Sequence, residues 1–256
     1  MQPTGVALGV ALAALLSVSA CSSDDERAGG DAPTSVAPVI DPGDGGDYHP
    51  EIDPGDFVAR VDNPYFPLRP GASWVYEGRT AHGPEREVVR VTDRHREVLG
   101  IPATVVRDTV RSRGEVIEDT RDWYAQDRDG NVWYLGENTT EYDDGEPIGT
   151  EGSWEAGVDG AEPGIIMPAE PAVGVAYRQE YSPGVAEDMA RVTEIDAGRG
   201  LPAGDYRNMV VTEEWSPLEP EIVEEKWYAP GVGPVAESTI AGGADRLLLR
   251  IYRPGD

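Results

Sequence analysis

Short runs in which apolar and polar residues alternate recur along most of the chain. In the run 104–110, Val106 and Val110 fall on one face of an extended chain, while Val105 and Thr109 fall on the other. A period of two is typical of strands that bury one face. Turns that contain Gly separate the runs, as they do in antiparallel hairpins. The pattern therefore predicts ten or eleven antiparallel strands.

One run is open to two interpretations. Five residues within 116–126 would also share one face of a helix: Val116, Ile117, Thr120, Trp123 and Tyr124. The β-branched and aromatic content and the Gly turns on either side favour a strand. We therefore predict a strand here.

A Trp-Tyr-Ala hairpin occurs twice. Residues 122–125 read Asp-Trp-Tyr-Ala and residues 226–229 read Lys-Trp-Tyr-Ala, and each leads through a Gly-containing turn to a Val. Arg-Val-Thr precedes both copies, at 90–92 and at 191–193. The order of these matches indicates a duplicated unit longer than a solenoid repeat. The alternative is chance similarity, since Val, Thr, Trp and Tyr are common in any strand.

We predict an all-β fold of two duplicated antiparallel β-meanders, residues 57–145 and residues 169–256. Residues 146–168 are the predicted connecting loop between them. So many antiparallel strands need protected edges, which a barrel or a pair of half-barrels supplies. The junction of the two meanders, called the seam below, is where we expect a ligand.

Composition supports a folded body and limits its partners. The chain has 256 residues, of which 39% are hydrophobic, with 31 Gly and 22 Pro, and a net charge of −27. Such an acidic surface repels nucleic acid and anionic membrane surfaces. Cationic, neutral and divalent-metal partners remain open, and solubility alone would also explain the charge.

The first twenty residues predict export. Residues 6–18 form an uncharged apolar run that is too short to span a membrane and has the length of a signal-peptide core. The run ends in Val18-Ser19-Ala20-Cys21, which resembles the bacterial lipobox. The resemblance implies that residues 1–20 are removed, that Cys21 is lipidated and that the protein is anchored to the outer face of the cell membrane. Residues 21–56 are the predicted flexible acidic tether.

The body resembles uncharacterised secreted β-rich lipoproteins of the actinobacterial type. The resemblance rests on the extended lead-in 62–68, Asp-Asn-Pro-Tyr-Phe-Pro-Leu, and on the hairpin 226–235. Such proteins are similar to half-barrel envelope lipoproteins that carry lipids or lipoproteins. The resemblance implies a fold and a location in the cell envelope, and it implies no activity.

The connecting segment is too apolar for an idle linker because it contains Trp154, Ile165, Ile166 and Met167. A connector tucked across the seam would explain it. A lid or binding loop is the second interpretation, with Trp154 as a platform and Glu155 and Asp159 as polar contacts. A catalytic loop is the third.

The aromatic pairs supply further candidate ligand contacts. Adjacent rings in a strand point to opposite faces, so one ring of each pair leaves the core and could stack on a sugar or an apolar ligand. Cross-strand ring pairs are the alternative. With the loop residues, the predicted ligand-binding set is Trp123, Tyr124, Trp154, Glu155, Asp159, Met167, Trp227 and Tyr228.

Catalytic and metal-binding motifs are missing from the sequence. Its only histidines are His49, His82 and His95, and its only cysteine is Cys21. Neither a Ser-His-Asp triad nor a three-His zinc site is visible, and we predict no cofactor, no metal and no catalytic residue. Carboxylate pairs for glycoside hydrolysis remain open, and so do solvated outer faces for the same side chains: Glu118 with Asp122 and Glu224 with Glu225.

The sequence thus predicts a membrane-anchored extracytoplasmic lipoprotein that binds a small molecule, lipid, glycan or partner at the seam. A carboxylate-dependent hydrolase or lyase acting on polysaccharide is one alternative. A structural envelope protein is the other.

Overall fold

The computed structural model describes residues 48–81 and 83–256. The predicted signal peptide, Cys21 and most of the predicted tether lie outside the described residues. Within them no helix is long and apolar enough to cross a membrane.

The described chain is built almost wholly of strands, with one turn of 3-10 helix at Pro54–Asp56. The sixteen strands are β1 (Phe57–Val58), β2 (Ser73–Thr80), β3 (Gly83–Val98), β4 (Ile101–Ser112), β5 (Glu115–Asp127), β6 (Val132–Asp143), β7 (Glu146–Gly149), β8 (Trp154–Glu155), β9 (Glu162–Met167), β10 (Ala176–Arg178), β11 (Glu180–Tyr181), β12 (Met189–Leu201), β13 (Gly204–Trp215), β14 (Val223–Ala229), β15 (Gly233–Ala241) and β16 (Arg246–Arg253). The strand predicted over 116–126 is confirmed as β5.

The strands form one antiparallel sheet that nearly closes into a barrel. Strands β2 to β6 are a first meander, strands β12 to β16 are a second, and β16 pairs with β2 to join them. At the outer edges β10 pairs with β12, while β11 pairs with β9, which pairs with β6. Only Gln179 separates β10 from β11, so one short stretch of chain reaches both edges. The prediction of an all-β barrel is confirmed, and the common origin of its two meanders stays a prediction.

The lead-in before β2 packs across one end of the barrel. The Asn63 side-chain amide donates to the carbonyls of Gly130 and Pro168, at 2.9 and 3.1 Å. Phe66 and Leu68 are buried in the core. The prediction that this segment is extended is wrong, because the chain turns at residues 63–66: the Phe66 N–H donates to the Asn63 carbonyl at 3.1 Å, and the Leu68 N–H donates to the Val61 carbonyl at 3.0 Å.

Residues 48–56, predicted as the last part of the tether, pack on the barrel instead. Tyr48 is almost fully buried, its hydroxyl donates to the Pro163 carbonyl at 2.8 Å, and its ring meets the ring of Tyr181 edge to face at 5.6 Å. An aromatic side chain with a hydrogen-bonded hydroxyl gains more from burial than a solvated tether would.

The segment predicted as a connecting loop contains three strands. Strands β7 and β8 pair with β6, and β9 adds to the main sheet beside β6. Ile165 and Met167 of β9 are buried, which explains why this segment is more apolar than a linker.

Candidate functional site

A cavity of about 200 Å³ lies inside the barrel, against the lead-in. Both meanders line it, since β2 to β5 supply one side and β14 to β16 supply the other. Aromatic side chains form part of the wall: Phe66, Trp74, Tyr76, Tyr124 and Tyr228. Its ionisable lining residues are Glu87, Asp108, Asp122, Lys226 and Glu237.

The strand period explains how these polar residues come to face inward. Asp122 precedes Tyr124 by two residues on β5, and Lys226 precedes Tyr228 by two on β14. Each therefore shares a sheet face with an inward-facing tyrosine. A polar group at such a position is enclosed by the barrel instead of facing solvent.

Glu87 and Asp108 form a carboxyl pair at the cavity wall. Burial raises the pKa of Glu87 to about 7. Burial, followed by repulsion from Glu87, raises the pKa of Asp108 well above its ordinary value. The interaction between the two side chains lowers the pKa of Glu87 and raises the pKa of Asp108 further, so Asp108 is the member of the pair that keeps its proton to higher pH. Among the described residues, Asp108 Oδ1 is buried without any hydrogen-bond partner.

A second carboxyl pair meets at the hydroxyl of Tyr134. That oxygen lies 2.7 Å from Asp122 Oδ1 and 2.9 Å from Glu137 Oε2. A hydroxyl has one hydrogen to donate, so the second short contact requires that one carboxyl is protonated and donates to the hydroxyl oxygen. Burial, followed by repulsion from Asp108, raises the pKa of Asp122 to about 7, and burial, followed by repulsion from Asp122, raises the pKa of Glu137 to about 8.

Stacked rings hold this part of the wall. The rings of Tyr124 and Tyr134 stack at 4.7 Å with an interplanar angle of 18°, and Phe66 meets Tyr124 edge to face at 5.1 Å. The Tyr76 hydroxyl donates to the Pro234 carbonyl at 2.9 Å, which fixes that ring beside the cavity. The aromatic wall is therefore preorganised.

Lys226, the only lysine of the chain, is compensated within the second meander. Its Nζ lies 3.0 Å from Glu214 Oε2 and 3.6 Å from Glu237 Oε2. The hydroxyls of Thr212 and Tyr228 donate to Glu214 Oε1 at 2.6 and 2.9 Å. Burial opposes the ammonium charge, but attraction to Glu214 and Glu237 outweighs it and raises the pKa of Lys226 well above its ordinary value.

A smaller cavity of about 110 Å³ lies on the other side of Lys226. Residues of the β13–β14 connection, including Ser216 and Ile222, line it together with Glu224. Burial, followed by repulsion from Glu237, raises the pKa of Glu224 to about 7. Among the described residues, Lys226 alone lines both cavities.

Four of the predicted ligand-binding residues line a different feature, an open groove of about 700 Å³ on the outside of the barrel: Trp123, Trp154, Glu155 and Asp159. We call this the outer groove. The two indole rings in it are only 5% and 6% exposed.

Contacts within the protein already engage both indoles of the outer groove. The guanidinium of Arg96 lies 4.1 Å from the ring centroid of Trp123 and forms an ion pair with Glu155. The Trp154 indole N–H donates to Glu180 Oε2 at 2.7 Å. The predicted stacking platform at Trp154 is thus a buried, hydrogen-bonded side chain.

The other four predicted residues lie elsewhere. Met167 is fully buried in the core, and Tyr124 and Tyr228 line the interior cavity. The Trp227 indole donates to Glu225 Oε1 at 2.6 Å, and Arg199 lies 4.8 Å from the ring centroid. The structure therefore does not bring the eight residues together, although neighbouring rings do take opposite faces as predicted.

The interior carboxyls are the residues that the sequence analysis missed. It assigned no role to Glu87, Asp108 or Glu237, and it left Asp122 equally explained by a solvated face. The signal was present, because Asp122 and Lys226 each stand two residues before a tyrosine and so share its face. Solvation is the wrong explanation for Asp122, which is 9% exposed.

The described residues contain no group of three or more His, Cys, Asp or Glu side chains arranged to hold a metal ion. The interior chemistry is thus that of carboxyl pairs, hydroxyls, one ammonium group and aromatic faces.

Comparisons with known proteins place the chain in no family. No protein-family model matches it, and no curated protein matches it significantly. One similar crystal structure is of a protein assigned as exported, with a YmcC-like fold, from Bacteroides fragilis NCTC 9343, at 17% identity over 74% of this chain and 99% of that chain, with a TM-score of 0.45. Another is of a protein assigned as a lipoprotein from Parabacteroides distasonis ATCC 8503, at 13% identity over 75% and 99%, with a TM-score of 0.39. These scores are too low to carry an argument about this chain.

Proposed function

We propose that this protein is an exported, lipid-anchored binding protein that holds a small ligand in the interior cavity at the seam of its two meanders. One observation carries the proposal: an aromatic-walled cavity into which buried carboxyl groups converge, with Asp108 Oδ1 left without a partner among the described residues. Protein interiors are close-packed, and their buried polar atoms are almost always hydrogen-bonded. A cavity that breaks both rules is a candidate ligand site.

The cavity volume sets the size of the ligand. An engineered cavity of about 150 Å³ takes up benzene. The interior cavity of about 200 Å³ therefore suits a molecule somewhat larger than benzene. A lipid with two acyl chains or a polysaccharide would exceed it.

Membrane anchoring is the second part of the proposal, and the lipobox at Val18–Cys21 supports it. The chain between Cys21 and Tyr48 would link the lipid to the barrel as a shortened tether. The ligand would then be captured outside the cell membrane.

A polysaccharide-cleaving enzyme is the second candidate, and Glu137 is the observation that favours it. This residue lines the outer groove, and its pKa of about 8, raised by burial and by Asp122, keeps it protonated at neutral pH. A general acid needs that state. Loss of polysaccharide cleavage in Glu137→Gln would support this candidate, and absence of cleavage by the unmodified protein would remove it.

Native mass spectrometry of the full chain carrying Cys21→Ser tests the binding proposal. We expect a small molecule to co-purify and to be lost on denaturation. Val89→Phe, which fills the cavity, should remove the extra mass. Val88→Phe is the matched control, because its side chain lies on the other face of the same strand. A bare mass, or an extra mass that persists in Val89→Phe, would contradict the proposal.

A further inference from the structure

We propose that the interior cavity selects a small organic cation, whose ammonium group lies against Asp108 and Glu87. The inference rests on the proposed function and adds the chemical class of the ligand. Charge, hydrogen bonding and aromatic faces support it as three separate steps.

The carboxyl groups around the cavity outnumber its cations. Four carboxyl groups line it, and one ammonium group faces them. Lys226 is already shared between Glu214 and Glu237. Among the described residues, no arginine or lysine forms an ion pair with Glu87, Asp108 or Asp122. Burial without a cation raises the pKa values of these three carboxyls, so protons neutralise them in the ligand-free protein, and a ligand cation would take the place of a proton.

The hydrogen bonding of Asp108 points the same way. Its Oδ1 is a buried acceptor with no donor in the described part of the chain. Other atoms of Asp108 line the cavity, so a ligand ammonium group there would lie against this carboxyl, and its charge would replace the proton that keeps the carboxyl neutral. An anion would be repelled from these carboxyls, and a neutral alcohol could not replace the proton.

The aromatic wall suits the organic part of such a ligand. Tyr76, Tyr124 and Trp74 line the same cavity, and their ring faces carry negative electrostatic potential. Cations bind over such faces, and quaternary ammonium groups are recognised by cages of them. Burial raises the pKa values of Tyr76 and Tyr124 well above the ordinary value, so both stay neutral. Carboxylates beside aromatic faces are the chemistry that recognises an organic ammonium ion.

A bare metal ion fits these observations less well. Within the described ranges, no three ligating side chains converge on one point. Most of the wall is also aromatic or aliphatic, which a metal ion would not use.

Two probes of equal shape separate charge from shape: choline and its uncharged carbon isostere 3,3-dimethylbutan-1-ol. Each is titrated calorimetrically into the full chain carrying Cys21→Ser. Ethanolamine is a second cation, with N–H donors that choline lacks. We expect at least one cation to bind saturably at one site, and the neutral isostere to bind at least about tenfold more weakly than choline if choline is that cation.

Substitutions of cavity-lining residues test whether the cation binds in the cavity. Asp108→Asn keeps the shape of the side chain and removes its charge, and we expect it to weaken cation binding at least about tenfold. Glu87→Gln is the second variant, in case the first does not fold. Glu155→Gln in the outer groove is the matched control and should bind as the unmodified chain does.

Three outcomes of these titrations would overturn the inference. Equal binding of choline and its isostere would overturn the inference and leave a cavity that binds neutral molecules. Cation binding that survives in both folded interior variants would overturn it as well. Failure of both cations to bind at about 10 mM would overturn the cation class. The native mass spectrum described above then shows whether the protein carries any small molecule at all, and so whether the proposed binding function fails as well.

Discussion

The two meanders place different charges at matching positions. In the second, Thr212 pairs with Lys226 across β13 and β14, and Glu214, two residues further along β13, contacts Lys226 at 3.0 Å. In the first, Val106 pairs with Asp122 across β4 and β5, and the residue two further along β4 is Asp108. The same geometry therefore holds an ion pair in one meander and two carboxyls in the other.

The difference distinguishes a charge that is fixed in the fold from protons that a ligand could replace. A lysine that neutralises buried carboxylates is a permanent part of the fold. In the proposed complex, the protons that neutralise the first meander leave when a ligand brings its own charge. The first meander is therefore the adaptable side of the cavity, and the second is its fixed side.

Removing the fixed charge should cause the largest loss of stability. Lys226→Met leaves the buried Glu214 and the more exposed Glu237 without their cation; because the Lys226 side chain is itself 28% exposed, the cost is about 2 to 3 kcal/mol, between that of an exposed pair and that of a fully buried one. We expect a loss of that size in the free energy of unfolding at pH 7, measured by denaturant titration. A loss below about 1 kcal/mol would show that the second meander does not depend on this pairing.

The protons of the first meander predict an unusual dependence on pH. The pKa values of Glu87 and Asp122 are about 7 in the folded chain, which exceeds the values of about 4 for unfolded carboxyls. The folded state therefore binds more protons between those limits, and stability is lost as pH rises through about 7. Thermal unfolding should occur at a higher temperature at pH 5 than at pH 8. The opposite order would contradict the assignment.

Asp122→Asn should reduce this dependence. The amide is always neutral, keeps an acceptor for the Tyr134 hydroxyl, and no longer repels Asp108 or Glu137. We expect a gain of about 2 to 4 kcal/mol at pH 8 and a gain of less than half that size at pH 5, where the unfolded carboxyl has begun to ionise, from unfolding curves at both values. Glu225→Gln, on the outer face, is the control and should leave the pH dependence unchanged. An equal shift at both pH values would mean that the effect is not electrostatic.

The smallest effect is expected in the outer groove. Arg96→Ala removes an exposed ion pair with Glu155 and a cation–π contact with Trp123. Such contacts are each worth about 1 kcal/mol or less. We expect a matching loss of stability and no change in ligand binding. Weaker binding of the ligand would indicate that the binding site lies in the outer groove and not in the interior cavity.

The sequence predicts which face of a strand each residue occupies better than it predicts which strands pair with each other. A period of two was enough to place Trp123 and Tyr124 on opposite faces and to predict β5 as a strand. Closure of the barrel was harder to predict, because it depends on the two short strands that flank Gln179. Strand β10 pairs with β12, and strand β11 pairs with β9. Such pairings depend on long-range register and leave little trace in local pattern.

The site was less predictable than the fold for the same reason. Glu87 and Asp108 meet because β3 pairs with β4 in one register, with a shift between Val91 and His95. Trp154 looked like an exposed platform because Glu180, its buried acceptor, lies on another strand. Nothing within either strand specifies these partners.

The most direct test is a carbon-13 NMR titration of the aspartate carboxyl groups in the full chain carrying Cys21→Ser. We expect the pKa of Asp122 to be about 7 in the ligand-free protein and to fall when a bound cation supplies the missing charge. A pKa for Asp122 near the ordinary value of about 4, unchanged by any cation, would contradict this expectation.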